Sequence, residues 1–581
     1  MLISPRTLLA AALACTALPA LAAVDLIVHN GKVYSAEPGQ PLQQALAVEN
    51  GAIRALGSND PILALQEAGT RLIDLEGRVL MPGFIDTHAH VVMAGLELVG
   101  ANLEIQFLPF DELEQKLRAW RDDGTAWMGD ILSVGGVPSD YWGHVDELER
   151  RFNQGEWKDV PIAFSGWDHH TGWANRPMLE RAGITADTVR ALEGEALATI
   201  GHHEDMRPNG FLVDAGFSKM LEQLPQPSPP QLEQAALRAQ QYLHSLGITA
   251  WMDPLSNAYP NDAFYEFKPT PKTLGVLPAY KALSERGELK AHVAALMLAH
   301  SKSTPEDLEI IEQVRQQFLN VPNLTLPGIK IFADGVAEYP AQSAAMIEPY
   351  KNSLKYGELM IDPEHFGELV SAADKRGWLV HVHAIGDRAV REALNGIEQA
   401  RQTHPSDIQH SVTHLQMVNP KEFARFKPLN VIASMQLYWA MADEASIDMV
   451  QPYISAMAFR HQYPARSLHK EGATIAGASD WPVTTPDPWK AIYQAVSRKG
   501  AKGLLAAAEA IDRETMFAAY TLNAAKALRL ETTIGSLAPG KQADFIVLDR
   551  DVFNVEPEQL RDTRVLQTFF AGNEVYRAEA P

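Results

Sequence analysis

Cysteine is almost absent from this chain of 581 residues, since the only one is Cys15, close to the N-terminus. Disulfides and clusters of thiolate metal ligands are therefore excluded. Positive charge is also scarce, because 50 lysine and arginine residues face 72 aspartate and glutamate residues, a net charge of −22. Such a chain repels phosphate backbones and anionic membrane surfaces. We therefore expect a small-molecule substrate as the partner and no nucleic acid.

Long apolar runs are lacking as well. The run from Leu8 to Leu18 follows Arg6 and precedes Ala20-Leu21-Ala22, which is the order found in a secretory signal peptide with its cleavage site. The run is too short to span a membrane, which takes about 20 residues. We predict that residues 1–22 are a signal peptide and that the exported product is periplasmic or secreted, without stable membrane insertion. A lipoprotein site ending at Cys15 is the minor alternative.

The two ends of the remaining chain have a similar pattern. Apolar and polar residues alternate in short segments over residues 23–82, with turn residues such as Asn30-Gly31 between them, and the pattern returns over residues 535–581. Alternation of this kind is typical of half-buried strands joined by tight turns. We predict that the two ends together form one small β-sandwich domain.

Between the ends, eight apolar segments alternate with helical stretches, as in repeated β/α units. The segments are 83–87, 248–252, 291–297, 328–333, 378–383, 410–415, 431–435 and 474–478. Eight strands predict an α/β fold with a closed (β/α)8 TIM barrel, here residues 83–534. A doubly wound open sheet is the alternative, but no strand is followed by a glycine-rich nucleotide loop. The gap after strand 1 predicts an inserted subdomain of about residues 97–240, with a linker at Pro225 to Pro230.

Histidine and aspartate residues stand where several of these strands end. His88 and His90 follow strand 1, His383 and His414 end strands 5 and 6, and Asp480 follows strand 8. Barrel enzymes place their chemistry at this end of the strands. Imidazole and carboxylate donors suit zinc and also accept iron, manganese or cobalt. We therefore predict a divalent metal centre of one or two ions per chain, with zinc as the first choice.

Lys330 lies within the apolar strand 4. A lone buried ammonium is costly, so this lysine should pair with an anion, act as an amine or be modified. A neutral amine can add carbon dioxide and become N6-carboxylysine, a metal ligand. A catalytic amine and a structural pair with Asp334 are the alternatives. His381 shares a strand face with His383 but lies deeper, and we expect it to pack or to support a ligand.

The order of the motifs resembles that of the amidohydrolase superfamily, and more narrowly its amidohydrolase-3 or YtcJ-like branch, which includes N-substituted formamide deformylases. The motifs are PGFIDTHAH, GIKIFADG, HVHAIGDRA, THLQMV, GASDWPV and GSLAPGKQADFIVLD. The likeness runs from about Val24 to Tyr576. It implies a metal-dependent barrel flanked by a small β-sandwich, with metal ligands His88, His90, carboxylated Lys330, His383, His414 and Asp480.

The inserted segment also resembles this branch. The loop from Asp168 to Asn175 is similar to a loop of this branch, and the likeness implies that His170 and Asn175 lie near the substrate. A purely structural turn is the alternative. Trp481, next to Asp480, is expected to contact the substrate too. Two stretches depart from the pattern. The chain reads DGVAEYPA at 334–341 where relatives often read DGSLGSRTA, and it has Asp214 where they commonly have glutamate. A relative's substrate therefore does not transfer directly.

These observations predict hydrolysis of a C–N bond, in an amide, N-acyl or formamide group of a small molecule, by a metal-activated hydroxide. Asp480 would act as general base and then general acid, and His170 would orient or polarise the carbonyl.

Two alternatives stay open. One is a mononuclear deaminase or cyclic-amide hydrolase that uses His88, His90, His383 and Asp480 and leaves Lys330 unmodified. The other is an exported binding or regulatory protein without turnover. Barrel enzymes often associate, so a homo-oligomer is also possible, although no stretch of the sequence specifies an interface.

Overall fold

The computed structural model describes residues 24–579, so the predicted signal peptide and Cys15 lie outside the described residues. A parallel sheet of eight strands forms the centre of the molecule. Barrel strands 1 to 8 are, in order, Phe84–Asp86, Ile248–Asp253, His292–Leu298, Leu324–Phe332, Leu379–Ala384, His410–His414, Val431–Met435 and Thr474–Gly477. Each pairs in parallel with the next one. The backbone N–H of Thr87 donates to the carbonyl oxygen of Gly477 over 3.0 Å, which links strand 1 to strand 8. The predicted α/β barrel is confirmed.

Helices cover the outside of the barrel and account for the apolar character of its strands. In strand 3, for example, every residue is buried, as expected where both faces of a parallel sheet are covered. The helices are Val91–Glu97, Pro229–Ser245, Leu277–Glu285, Asp307–Arg315, Phe366–Lys375, Asp387–Thr403, Ala456–Arg460, Ala465–Lys470, Pro488–Ser497, Arg513–Ala519 and Leu522–Ala527. Within the described residues no helix is long and apolar enough to cross a bilayer.

Both ends of the described chain contribute to a pair of small sheets beside the barrel. One sheet contains, in spatial order, Ala52–Gly57, Ala45–Glu49, Leu26–His29 and Arg71–Asp74, and the other contains Lys32–Val33, Val79–Pro82, Phe545–Leu548, Val565–Phe570 and Asn573–Arg577. Leu80 in the N-terminal part pairs with Val547 in the C-terminal part. Apolar side chains of both sheets, including Val28, Leu46 and Phe545, pack into one core. The short helix Asn59–Leu63 completes this part, whereas the short helix Pro557–Leu560 packs against the barrel helix Pro488–Ser497.

The chain between barrel strands 1 and 2 forms a sheet of its own. Its strands are, in spatial order, Ile200–His202, Pro208–Val213, Thr171–Ala174, Ile162–Gly166, Ile131–Val137 and Trp127–Met128. Its helices are Phe110–Asp123, Val145–Phe152, Arg176–Arg181, Ala186–Arg190, Gly194–Ala198 and Asp214–Leu221. The next helix, Pro229–Ser245, packs in the barrel core against Val91–Glu97. This helix begins at Pro229, within the predicted linker at Pro225 to Pro230. A small hairpin, Lys499–Gly500 and Gly503–Leu504, lies after the helix that follows strand 8.

Candidate metal centre

A cavity of about 1390 Å³, its open mouth included, lies at the carboxyl ends of the barrel strands. It is the place where barrel enzymes carry their chemistry. The six predicted donors all line it: His88, His90, Lys330, His383, His414 and Asp480. They come from strands 1, 4, 5, 6 and 8 or from the residues just after them. The structure thus brings together side chains that are up to several hundred residues apart in the sequence.

Asp480 lies in contact with the imidazoles of strand 1. Its Oδ1 is 3.0 Å from Nε2 of His90 and 3.2 Å from Nε2 of His88, and its Oδ2 is 3.9 Å from Nδ1 of His414. Donor atoms of His88, His414 and Asp480 all lie within 4.8 Å of one another. This spacing is compatible with three side chains that share one cation.

Several buried nitrogen atoms at this point have no hydrogen-bond partner among residues 24–579. They are Nε2 of His88, Nδ1 of His90, Nδ1 of His414 and Nζ of Lys330. Buried polar atoms are rarely left without a partner, because the loss of hydration is costly. A set of neutral nitrogen and carboxylate donors also has the chemistry that zinc and related ions prefer. The residues present therefore fit a divalent metal.

Lys330 does not form the structural ion pair with Asp334 that was one of the alternatives for this lysine. Asp334 accepts hydrogen bonds from the backbone N–H groups of Ala345, Ile385 and Gly386. The Nζ of Lys330 lies instead 4.9 Å above the centre of the Phe332 ring. Burial lowers the pKa of Lys330 to about 7, so a large share of this amine is neutral near neutral pH.

A series of hydrogen bonds holds the imidazole of His88 at its Nδ1, the ring nitrogen away from Asp480. Its Nδ1 lies 2.7 Å from Nε2 of His381, whose Nδ1 lies 2.6 Å from Oγ of Ser411. The bond at Nδ1 leaves Nε2 of His88 directed toward Asp480. Partners of this kind fix the orientation and tautomer of a metal-binding histidine. This is the supporting position predicted for His381.

Electrostatics keep the donors in the forms that bind cations. Burial alone would raise the pKa of Asp480, but the neighbouring His88, His90 and His414 hold it well below its ordinary value. Burial, together with Lys330, lowers the pKa of His88 to about 3 and that of His383 well below its ordinary value. Asp480 is therefore ionised, and His88 and His383 are neutral near neutral pH, which is the state that metal binding requires of such donors.

The backbone is strained at two of the donors. His414 has φ of 74° and Asp480 has φ of 59°, in the left-handed region that side chains with a Cβ rarely adopt. Each ends or follows a barrel strand, so the unusual φ turns the chain at the mouth of the barrel. Strain of this kind clusters at functional sites, where the surrounding structure holds it in place.

His170 reaches the same cavity from the inserted sheet. Its Nδ1 lies 2.8 Å from Oδ1 of Asp214, and the hydroxyl of Tyr265 lies 2.7 Å and 2.8 Å from its two ring nitrogens. Burial works against the charged form of His170, but Asp214 outweighs it and raises the pKa of this imidazole. Asp168 accepts from the backbone N–H groups of His170 and Thr171 and so shapes the loop. His170 therefore lines the cavity with its imidazole held by Asp214 and Tyr265.

Two residues predicted to contact substrate do not line the cavity. Asn175 is fully buried, and its side chain caps helix Arg176–Arg181 while it bonds to the backbone of Ile162, Phe152 and Val160. The ring of Trp481 packs in the barrel core beside Tyr242, 5.4 Å between ring centres. Both side chains have structural contacts, so these two predictions are corrected.

Sequence reasoning missed other residues of the cavity wall. Tyr265 lies in the loop after strand 2, where no motif indicated a function. Trp439 follows strand 7, and its ring is stacked on that of His414, with 5.6 Å between centres and 4° between planes. Glu338 also lines the cavity. It lies in the DGVAEYPA segment, for which the sequence indicated only a departure from the pattern of the branch. Position just after a barrel strand is the signal that could have identified Trp439, whereas Tyr265 lies well beyond the end of strand 2 at Asp253.

A barrel whose mouth holds six nitrogen and oxygen donors is the architecture of a metal-dependent hydrolase. A model of the amidohydrolase family, Amidohydro_3, matches residues 71–576. The chain belongs to the amidohydrolase family.

Curated relatives cover nearly the whole chain. The protein LONG AFTER FAR-RED 3 of Arabidopsis thaliana is 28% identical over 574 residues, 96% of this chain and 92% of the relative. YtcJ of Bacillus subtilis is 25% identical over 95% of this chain and 99% of its own length. The N-substituted formamide deformylase of Arthrobacter pascens is 23% identical over 94% and 97%. These matches confirm the predicted branch of the family.

A solved structure has the same fold. An uncharacterized metal-dependent hydrolase of Pyrococcus horikoshii superimposes with a TM-score of 0.70 at 24% identity, over 92% of this chain and 99% of that one. The family identifies a hydrolase that acts on carbon–nitrogen bonds, so the alternative of a binding protein without turnover is set aside.

Proposed function

We propose that the protein is exported and hydrolyses an amide, N-acyl or formamide bond of a small molecule. The observation that carries this proposal is the convergence of six donors, several of them without a hydrogen-bond partner, beside the His170–Asp214 pair in one cavity. The name of the formamide deformylase relative supports the choice of bond. The apolar N-terminal segment supports export, which fusion of residues 1–22 to a periplasmic reporter would test.

The metal would be held by His88, His90, His383, His414 and Asp480, together with Lys330. A bound divalent ion lowers the pKa of a water molecule to about 7 and polarises a carbonyl group. Zinc is our first choice because the donors are imidazoles and a carboxylate.

Lys330 is proposed to be N6-carboxylated. Its amine is buried, lacks a hydrogen-bond partner among residues 24–579 and has its pKa lowered to about 7. Addition of carbon dioxide to the neutral amine forms a carbamate and releases one proton, so that the side chain gains two oxygen donors. ¹³C-bicarbonate labelling followed by NMR would reveal the carbamate carbon. Lys330→Arg should remove that signal and reduce the bound metal, whereas an unchanged metal content with no carbamate signal in the original protein would contradict the assignment.

Asp480 is the proposed general base and acid. Its carboxylate is ionised near neutral pH and stands among the donors that surround the reacting position. It would take a proton from the attacking water and return it to the nitrogen of the departing amine, so one carboxylate serves both stages. His170, held by Asp214 and contacted by Tyr265, would donate a hydrogen bond to the carbonyl oxygen as negative charge develops there.

The proposal is tested with zinc-loaded protein and a panel of amides, N-acyl amines and formamides. We expect release of an amine and a carboxylic acid, and Asp480→Asn should lower kcat by on the order of 100-fold or more. Asp443→Asn is the matched control, because Asp443 also lines the cavity but accepts from the backbone N–H of Ser446. Equal kcat for Asp480→Asn and the original enzyme would refute the role of Asp480. Release of ammonia from a heterocycle would favour the mononuclear deaminase.

A further inference from the structure

Aromatic rings line much of the cavity away from the donor cluster. They include Trp142, Trp167, Phe264, Tyr438, Trp439 and Tyr463. Two of them form a row of rings that starts at the donor cluster. Trp439 is stacked on His414, and the ring centre of Tyr463 lies 6.5 Å from that of Trp439. A substrate whose amide lies at the cluster would therefore meet aromatic surface next.

Glu338 lies on this aromatic side of the cavity. Its carboxylate Oε1 accepts one hydrogen bond, over 3.1 Å, from the side-chain amide of Gln416. The backbone carbonyl of Gln416 accepts from Tyr463, and the charge of Glu338 acts on the Tyr463 hydroxyl. Glu338 thus borders the same part of the wall as Tyr463.

This carboxylate is half-buried and has no ion-pair partner among residues 24–579, although the charge of His170 acts on it from a distance and that of Asp168 opposes it. No lysine, arginine or histidine within residues 24–579 forms an ion pair with it, and the contact from Gln416 is a neutral one. A carboxylate withdrawn from water without a counter-charge is destabilising. A carboxylate next to aromatic faces is the arrangement that binds an organic ammonium group, through an ion pair and cation–π contacts.

The other charges of the wall favour the same kind of ligand. Among the described residues that line the cavity there is no arginine, and the only lysine is Lys330 within the donor cluster. Among the described residues of this wall, His170 is therefore the group outside the donor cluster that could carry a positive charge, and Asp214 already holds it. Asp168 and Asp443 also face the cavity, but their oxygens already accept backbone N–H groups. The net charge of −22 attracts cations as well.

We propose that the substrate carries a protonated amine, separated from the scissile amide by an apolar or aromatic spacer, and that Glu338 binds this ammonium group. The inference rests on the proposed function, which places the amide at the donor cluster. It goes beyond that function because it assigns a charge to the substrate and a specificity residue to the DGVAEYPA segment, where the chain departs from the pattern of its branch.

The first experiment measures binding to the zinc-loaded protein by calorimetry with two probes of equal size, 4-methylbenzylamine and 4-methylbenzyl alcohol. We expect the amine to bind about 10-fold tighter, since a hydrogen bond to a charged group is worth roughly one to two factors of ten. Glu338→Gln should remove this preference and change alcohol binding less than about twofold. Equal binding of both probes to the original protein, or equal weakening of both by the variant, would overturn the proposal.

A matched control separates a local effect from a general loss of negative charge. Glu444→Gln makes the same change at an exposed glutamate that does not line the cavity, and the preference for the amine should persist in it. The melting temperature and zinc content of each variant show that fold and metal centre are intact.

Hydrolysis distinguishes failure of this inference from failure of the proposed function. The substrates are N-benzylformamides with a para aminomethyl, ethyl or carboxyl group. We expect kcat/KM to be highest for the aminomethyl compound and lowest for the carboxyl compound. Equal turnover of the aminomethyl and ethyl compounds would refute the ammonium site while the hydrolase stands. No turnover of any of them, with an amine preference that depends on Glu338, would refute the formamide assignment and leave the ammonium site in place.

Discussion

Asn175→Ala should destabilise the protein without changing its substrate binding. The side chain of Asn175 serves four backbone groups within 3.3 Å: its Oδ1 accepts from the N–H groups of Ile162 and Met178, and its Nδ2 donates to the carbonyls of Phe152 and Val160. The residue is fully buried, so water does not replace these partners in the variant.

The magnitude follows from these bonds. Loss of the helix cap costs about 1 kcal/mol, and each of the remaining three backbone groups, left buried without a partner, costs about 1 kcal/mol or more. The sum is about 3–5 kcal/mol. For a cooperative unit of 150–250 residues this corresponds to a fall in Tm on the order of 10 °C.

The assay is scanning calorimetry of the zinc-loaded protein together with KM for a hydrolysed amide. Asn153→Ala is the control, because Asn153 accepts from the backbone N–H of Arg176 at a more exposed position and its loss should lower Tm by only a few degrees. An Asn175→Ala variant with unchanged Tm and a raised KM would show that Asn175 contacts substrate, as the sequence resemblance implied, and would refute the structural argument.

Two other substitutions test the supports of the cavity. His381→Ala should weaken zinc binding by roughly 10- to 100-fold, because His88 loses the partner at its Nδ1; titration against a chelator measures this, and an unchanged affinity would contradict it. Asp214→Asn should lower the pKa of His170, which Asp214 now raises, so the basic limb of the kcat/KM profile should move to lower pH, while Asp214→Glu keeps the limb near its original position. A limb that stays in place in Asp214→Asn would show that the imidazolium form is not required.

The barrel and its donors could be predicted because each signal is local. Eight apolar segments mark eight strands, and His88, His90, His383 and His414 each stand at or just after a strand end, where a barrel forces them into one cavity. Spacing along a strand also separated His383 from the deeper His381. No distant contact had to be known for these predictions.

The rest depends on contacts between distant segments. Tyr265 meets His170 only because the loop after strand 2 folds against the inserted sheet, and Glu338 meets Gln416 across two different loops. Asn175 was misread for another reason. It precedes Arg176-Pro177, and asparagine before a proline in the first turn is an N-cap signature, which the likeness to a substrate loop had outweighed.

The pairing of Leu80 with Val547 sets a condition on the order of folding. The first strands of the chain leave the ribosome long before the segments that complete their sheet, and late partners of this kind slow folding and leave open strand edges exposed. A chain that stays unfolded until its synthesis is complete avoids the time during which these open strand edges are exposed. If the protein is exported as proposed, passage through the membrane in an unfolded state would provide that delay, and truncation before Phe545 should yield an aggregating product rather than a stable barrel.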